Sequence, residues 1–291
     1  MSHCHAALLE GRGVIRVAGA DARKYLQGLI TNDMSKVQDG RAVHAGLLSP
    51  QGKILFDFFV IAEGGGHLID VAKDKVDELV KRLTFYRLRA AVEIGEESAR
   101  AVAAAWGAAP RLPDGAIAYP DPRLSELGLR IVLPAGASAA ELGCAKATEA
   151  DYDALRIKLG VPEGGRDFAF GEAFPHEALF DQLNGVDFAK GCFVGQEVVS
   201  RMEHRGTTRR RVVPVEGEAP LPAPGSSIEA GGVPIGSLGS VSGTSGLALI
   251  RLDRAEEALA HGAPLMAGAV KVKLRQPEFA RFAVPVTALS A

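Results

Sequence analysis

The sequence predicts an α+β protein that ends in a small all-β domain, and three observations predict it. Between residues 44 and 94 the apolar pattern runs strand, strand, strand, helix, strand, the order of an antiparallel sheet in an α+β unit. After Arg211, short β-like runs alternate with Gly, Pro and Ser, the texture of a small β-barrel or sandwich. The chain has 291 residues, 47% apolar and 23% charged, which is an ordinary globular composition with length for about two domains.

Each element follows from its local pattern. Gly13–Val17 alternates as a short strand. Ala22, Leu26, Leu29 and Ile30 share one face of a helix over residues 20–30, with Asp21 near its positive end. His44–Leu48 and Lys53–Ile61 flank Ser49-Pro50-Gln51-Gly52. Pro in second place and Gly in fourth suit a type I turn, so a hairpin is predicted. Gly64-Gly65-Gly66 turns the chain into a third strand, His67–Ala72. Val76, Leu79, Val80 and Leu83 form the buried stripe of a helix over Lys73–Phe85, and Leu88–Ile94 returns as a strand. Residues 96–147 are rich in Ala, Pro and Gly. There Ala99–Trp106 reads as either a strand or a helix, and Gly128–Leu133 as a strand. Thr148 with Asp151 is related to a capping box and starts a helix, Glu149–Leu159, which Gly160 and Pro162 stop. The C-terminal strands are Val212–Val215, Ser226–Ala230, Ile235–Val241, Leu247–Leu252 and Ala269–Leu274.

Charge and cysteine usage exclude several functions. The 33 Lys and Arg against 35 Asp and Glu leave a net charge of −2, so no global positive field holds the chain on DNA or on an acidic membrane. No apolar run approaches the ~20 residues of a bilayer span. Charges through the N-terminal region argue against a secretory signal. Cys4, Cys144 and Cys192 are too few and too scattered for a disulfide framework, which predicts a reducing, cytoplasmic setting. His3-Cys4-His5 looks like a ligand cluster, but its place at the terminus favours disorder. No glycine-rich phosphate motif occurs, so nucleotide hydrolysis is not expected.

One segment stands apart: Lys190-Gly191-Cys192-Phe193-Val194-Gly195-Gln196-Glu197. Its glycines place Cys192 on a sharply turned, accessible loop. Helical character begins at Gln196. That helix end, with Arg201, Arg205, Arg209, Arg210 and Arg211 opposed only by Glu203, makes a setting that lowers a thiol's pKa. Cys192 is therefore predicted to be reactive and partly exposed. The arginines lack interleaved aromatics, so an anionic ligand suits them better than RNA. His176 and Glu177 are further candidates beside the loop or at a helix start, and Asp181 and Asn184 read as turn residues.

This segment resembles the K-G-C-[YF]-x-G-Q-E signature of the YgfZ family, proteins linked to iron–sulfur cluster assembly and repair and related to the glycine cleavage T-protein. Gly19 to Asp33 is similar to the family's G-x-D-A-x-x-(F/Y)-L-Q-G-L-x-T-N-D, Leu48–Lys53 to its L-x-P-Q-G-K hairpin, and Phe85–Arg89 to its Y-x-L-R. The resemblance implies a T-protein-like ring of three subdomains around a central channel. Residues 1–43 with 148–211 would form the first and carry the signature, 44–147 the second, and 212–291 a C-terminal β-barrel. It implies an assembly or repair factor that works through Cys192, as a reactive thiol or a transient cluster ligand, rather than an enzyme. Lys190, Gly191, Gly195, Gln196 and Glu197 would shape its loop. The implied partners are iron–sulfur carrier or scaffold proteins and client [4Fe–4S] enzymes. The implied cofactor is tetrahydrofolate, with Asn32, Asp33, Asp57, Lys158, Arg201 and Arg205 as folate- or anion-binding candidates.

Two departures bear on that cofactor. The T-protein's Asp-Asp pair is Phe56-Asp57 here, and its R-x-E-x-G is Arg156-Ile157-Lys158-Leu159-Gly160. A carboxylate accepts hydrogen bonds from a pterin edge, whereas an ammonium only donates. Lys158 thus speaks against ordinary pterin recognition. With Gly160 to Asp167 it is more similar to the mitochondrial iron–sulfur assembly branch. The alternative reading is a tetrahydrofolate-dependent aminomethyl or one-carbon transferase, with Asp57 or Glu197 as the acid–base group.

Overall fold

The computed structural model describes residues 3–206 and 208–285. The chain divides into two compact units, Met1–Tyr152 with Leu183–Gln196 and Asp153–Gln182 with Glu197–Ala291.

The first unit contains β1 (His5–Leu8), β2 (Arg12–Ala18), α1 (Ala22–Gln27), β3 (Val43–Leu48), β4 (Ile54–Glu63), β5 (Gly66–Ala72), α2 (Val76–Tyr86), β6 (Glu93–Glu96), β7 (Arg100–Trp106), β8 (Ile117–Pro120), β9 (Leu129–Pro134), β10 (Ala145–Lys146) and the start of α3 (Glu149–Leu159). They build two five-stranded sheets, β3-β4-β5-β2-β6 and β10-β1-β7-β9-β8. The pairs are antiparallel except β1 with β10. Alternation along the first sheet sends Leu47, Phe56, Phe58 and Val71 into one core with Leu26 and Ile30 of the α1 region and Leu79 and Leu83 of α2. The predicted hairpin is present: the Gly52 N–H donates to the Ser49 carbonyl at 2.8 Å. The box before α3 is present too, with the Asp151 carboxylate accepting from the Thr148 N–H at 2.8 Å.

The other face of the first sheet holds buried charge beside Val14, Phe59, Ile61 and Leu68. Asp70 bridges Arg12 at 2.7 Å and Arg130 at 2.6 Å, and Asp121 holds Arg123 at 2.8 Å, all of them buried or nearly so. The three guanidinium groups lie 4.3–5.7 Å from the centre of the Phe59 ring. Burial alone would raise the Asp70 carboxyl, but Arg12 and Arg130 outweigh it and hold it below the usual range.

Five expectations change or are decided. Strand β6 starts at Glu93 rather than Leu88, because the chain first makes a turn in which Leu88 adopts φ +47°. The ambiguous run 99–106 is a strand, since it pairs with both β1 and β9. The N-terminus is ordered from His5 as β1, because β7 and β10 flank it. Cys4 and Cys144 form a disulfide, against the expectation of none: the parallel β1–β10 pair brings their Cα atoms to 4.7 Å. Their separation of 140 residues hides that proximity from a reading of the sequence. Strand β2 pairs with β5 and β6, so one sheet runs across the expected subdomain cut at residue 43.

The second unit contains the rest of α3, nearly all of α4 (Gln196–Arg205), β11 (Arg210–Gly217), β12 (Ser227–Ala230), β13 (Val233–Ser242), β14 (Ser245–Arg251), α5 (Leu252–Ala260), β15 (Leu265–Ala267) and β16 (Val270–Leu274). The strands close as a barrel in the order β11-β14-β13-β12-β15-β16, around Val213, Ile228, Leu238, Ile250, Leu265 and Val272. The alternative between barrel and sandwich is thereby decided. Short β15 and helix α5 were not anticipated. Gly160 ends α3 at φ +82°, where a Cβ would lie 2.9 Å from the Pro214 ring. Among the described residues no helix is long and apolar enough to cross a membrane.

Candidate functional site

Cys192 carries a free, exposed thiol. The residues on either side of it explain why it is exposed. Lys190 is buried, and its ammonium donates to the carbonyls of Gln27 at 2.7 Å and Ile30 at 2.6 Å, groups left over at the end of α1. The same ammonium lies 5.2 Å from the centre of the buried Phe193 ring. Burial lowers the Lys190 ammonium to about 8, although Asp33 and Asp187 pull the other way. With 190 and 193 fixed inward, Gly191 and Cys192 face solvent.

Gly195 fixes the other end of the loop. It has φ +80°, and a Cβ there would come within 2.6 Å of the Ser49 carbonyl and 3.0 Å of Gly52. The signature therefore packs backbone to backbone on the Ser49–Gly52 hairpin turn, and two separate sequence motifs meet. Gly191 differs, because a Cβ there would meet nothing within 4 Å. The Gln196 N–H is used by the Phe193 carbonyl at 3.2 Å, so this first helical donor does not serve the sulfur.

The Thr31-Asn32-Asp33 motif braces the approach to the loop. Thr31 Oγ1 donates to the Gly185 carbonyl at 2.6 Å and accepts from Gly46. Asn32 Nδ2 donates to the carbonyls of His44 and Asn184 at 2.7 and 2.6 Å. Asp33 accepts from the Ser35 N–H, which is the main reason that its carboxyl is held low. Asp187 accepts from the Ala189 and Lys190 N–H groups and pairs with Lys36 at 2.7 Å. Asp57 is buried on β4 opposite Gly46.

A cavity of about 510 Å³ in the first unit is lined by Asn32, Lys36, Arg41, His44, Pro122 and Asn184, among others. Burial and the Arg123 charge lower His44 to about 3, so it is a neutral ring at pH 7. Of these residues only Asn32 and Asn184 were singled out in the sequence. The rest come from the segment that leads into and begins β3 and from Pro122, with no shared motif, and Asn184 at φ +55° is the one non-glycine lining residue with an unusual backbone.

The second unit holds the remaining candidates. Lys158 is exposed on α3. Arg201 pairs with Glu197 along α4 at 2.8 Å, and Arg205 is exposed near its end. Arg210 and Arg211 are not free cations: they pair with Glu177 and Asp181 at 2.9 Å each. The cationic hollow expected from the arginine run is thus reduced, because carboxylates some thirty residues earlier in the chain neutralise two of its members. Glu177 also accepts from the Phe174 N–H at 2.8 Å within a run of turns, so the expected helix start is absent there. His176 Nε2 lies 2.9 Å from Glu203. His176, Asp181 and Glu203 group closely enough to hold a metal ion, but both Asp181 oxygens already serve Arg211.

Known proteins resemble the chain along most of its length. Residues 209–282 match the C-terminal β-barrel domain of CAF17. The mitochondrial iron-sulfur cluster assembly factor IBA57 homologue of Neurospora crassa is 35% identical over 244 residues, 75% of this chain and 56% of that protein. The human mitochondrial IBA57 is 33% identical over 273 residues, 83% of this chain and 76% of that one, and the mouse protein 32% over 280 residues. The chain thus spans little more than half the length of the Neurospora relative and three quarters of the human one. The crystal structure of glycine cleavage system aminomethyltransferase T from Bartonella henselae matches with a TM-score of 0.75 at 15% identity, over 96% of this chain and 87% of that chain. That likeness establishes an aminomethyltransferase-like fold and nothing more. The relatives bear the IBA57 name rather than YgfZ, and they are named as mitochondrial, which overturns the cytoplasmic expectation. A low cysteine count marks a thiol-rich setting without telling one such compartment from another. On a third of its residues shared across most of the human protein, and on its matching barrel, the chain belongs to the CAF17/IBA57 family.

Proposed function

We propose that the protein is an iron–sulfur cluster assembly factor in which the Cys192 thiolate offers one ligand to a cluster that a partner also holds. One observation carries this reading: a free, exposed thiol on a loop whose neighbours are locked by Lys190 and Gly195. Such a sulfur is presented to a large partner without the entropy cost of ordering its loop. A single thiolate does not complete a cluster, since a [2Fe–2S] centre takes four protein ligands. An iron–sulfur carrier or scaffold, or a small thiol, supplies the others, and [4Fe–4S] enzymes are the clients. The cluster is cargo, and the residues do ligand exchange rather than bond-making catalysis. The narrower kinship with YgfZ proteins rests on the signature loop and belongs to this proposal. The names of the relatives support the same function.

The test is anaerobic transfer of a cluster from a carrier to an apo-[4Fe–4S] enzyme, with wild type or Cys192→Ser. The serine variant should lose most of the stimulation while keeping the wild-type melting temperature. Equal transfer by both proteins would sink the proposal.

The cavity favours a second reading as a tetrahydrofolate-binding protein. Lys36 and Arg41 suit the carboxylate tail of a folate. The pterin edge is less well served: the cavity residues named above include no carboxylate, and Lys158 is an exposed ammonium. The residues fit a bound anion and not a transferase, so no one-carbon step is derived. Calorimetry with tetrahydrofolate should give heat that Arg41→Glu abolishes; no heat with wild type removes this reading.

A further inference from the structure

The Cys4–Cys144 disulfide lies outside the signature loop, and the proposed cluster chemistry makes no use of it. A chain of this length buries a core without crosslinks, so folding does not demand the bond. Its position points elsewhere. Cys4 immediately precedes β1, Cys144 immediately precedes β10, and β10 is the edge strand of its sheet. Both cysteines are only half-buried, and both residues of β10 are exposed. Sulfur at an exposed sheet edge is open to a dissolved thiolate, the species that makes and breaks disulfides.

The two segments joined by the bond are held unequally. Strand β1 pairs with β7 over four residues and buries Ala6 and Ala7. Strand β10 is two residues long and is attached to β1 through the Ala145 and Ala147 N–H groups, which donate to Cys4 and Ala6 at 2.8 and 2.9 Å. Without the bond β1 keeps its place, and β10 is the piece whose attachment weakens. The same segments wall a cavity of about 440 Å³, with Leu8 at the end of β1, Glu10 after it, Lys146 in β10 and Thr148 after that strand.

We propose that Cys4 and Cys144 form a reversible thiol–disulfide site, in exchange with a low-molecular-weight thiol and its disulfide, and that its oxidation state decides whether β10 is clamped to β1. In the oxidising direction one cysteine thiolate attacks the external disulfide, forms a mixed disulfide and releases one thiolate. The second cysteine thiolate attacks the protein sulfur of that mixed disulfide, forms the Cys4–Cys144 bond and releases the second thiolate. The protein gives up two protons and two electrons, and one external disulfide becomes two thiols. Reduction is the reverse.

The probe is glutathione. Full-length wild type and Cys192→Ser, which removes the third thiol, are equilibrated at graded ratios of reduced to oxidised glutathione and quenched with acid. Free thiols are counted by maleimide labelling and mass spectrometry, and amide exchange is followed in residues 143–147 and in β7. Cys4 and Cys144 should gain label together, with one midpoint reached from either the reduced or the oxidised side. Reduction should speed exchange at Ala145 and Ala147 by about tenfold or more and leave β7 unchanged. Cys4→Ser and Cys144→Ser should each exchange fast in every buffer. A bond that survives a large excess of reduced glutathione overturns the proposal. So do cysteines that never join, exchange that ignores oxidation state, and loss of β7 protection on reduction.

Discussion

Lys190 has two neighbours to satisfy and one proton to spare. Replacing it with Met leaves the Gln27 and Ile30 carbonyls buried without a donor, which costs about 1–3 kcal/mol. Urea unfolding at pH 7 should show that loss, together with faster alkylation at Cys192 as the loop loosens. The pH dependence has a definite sign. The folded value of about 8 lies below the ordinary lysine value, so between the two the unfolded chain binds more protons and this group's contribution rises with pH. The stability gap between wild type and Lys190→Met should therefore widen from about pH 8 to about pH 10. His44 works in the acid range. At about 3 it lies far below an ordinary histidine, so its contribution is complete above about pH 6.5 and is lost as the pH falls. His44→Gln should flatten the acid limb of stability, whose slope from one such group reaches about 1.4 kcal/mol per pH unit. The exposure of Cys192 was legible in the sequence because glycines flank it. The pairing of Arg210 and Arg211 was not, because Glu177 and Asp181 lie 33 and 30 residues earlier in the chain.

Among the elements, the hairpin at Ser49–Gly52 and the signature loop act as one joint. Gly195→Ala puts a methyl group against the Ser49 carbonyl at a left-handed φ and should cost about 1–3 kcal/mol, with cluster transfer lost in step. Gly191→Ala meets open space and should stay within about 0.5 kcal/mol of wild type. Thermal melts of the two variants side by side check the contrast. Elements governed by local chemistry were readable from sequence: the Pro-Gln-Gly turn, the Thr148–Asp151 box and the apolar stripe of α2 all stand where the pattern put them. Elements made by remote partners were not. Strand β1 exists because β7 and β10 flank it, and β6 is delayed to Glu93 by a turn that no apolar pattern marks.

At the scale of the molecule, the first unit seals charge inside its fold. Asp70 is completely buried between Arg12 and Arg130. Asp70→Asn removes the carboxylate that the Arg12 and Arg130 guanidinium groups share in a dry interior and should cost about 3–5 kcal/mol, measurable by urea unfolding. That network was invisible in the sequence, where its members are single charged residues and the bonded pairs Arg12–Asp70 and Asp70–Arg130 lie 58 and 60 positions apart. The order of chain segments has a consequence of its own. The first unit is unfinished when residue 152 leaves the ribosome, since it still needs 183–196, and those fourteen residues bring Lys190 and Cys192 with them. During synthesis the sulfur thus arrives with the very segment that completes the first unit.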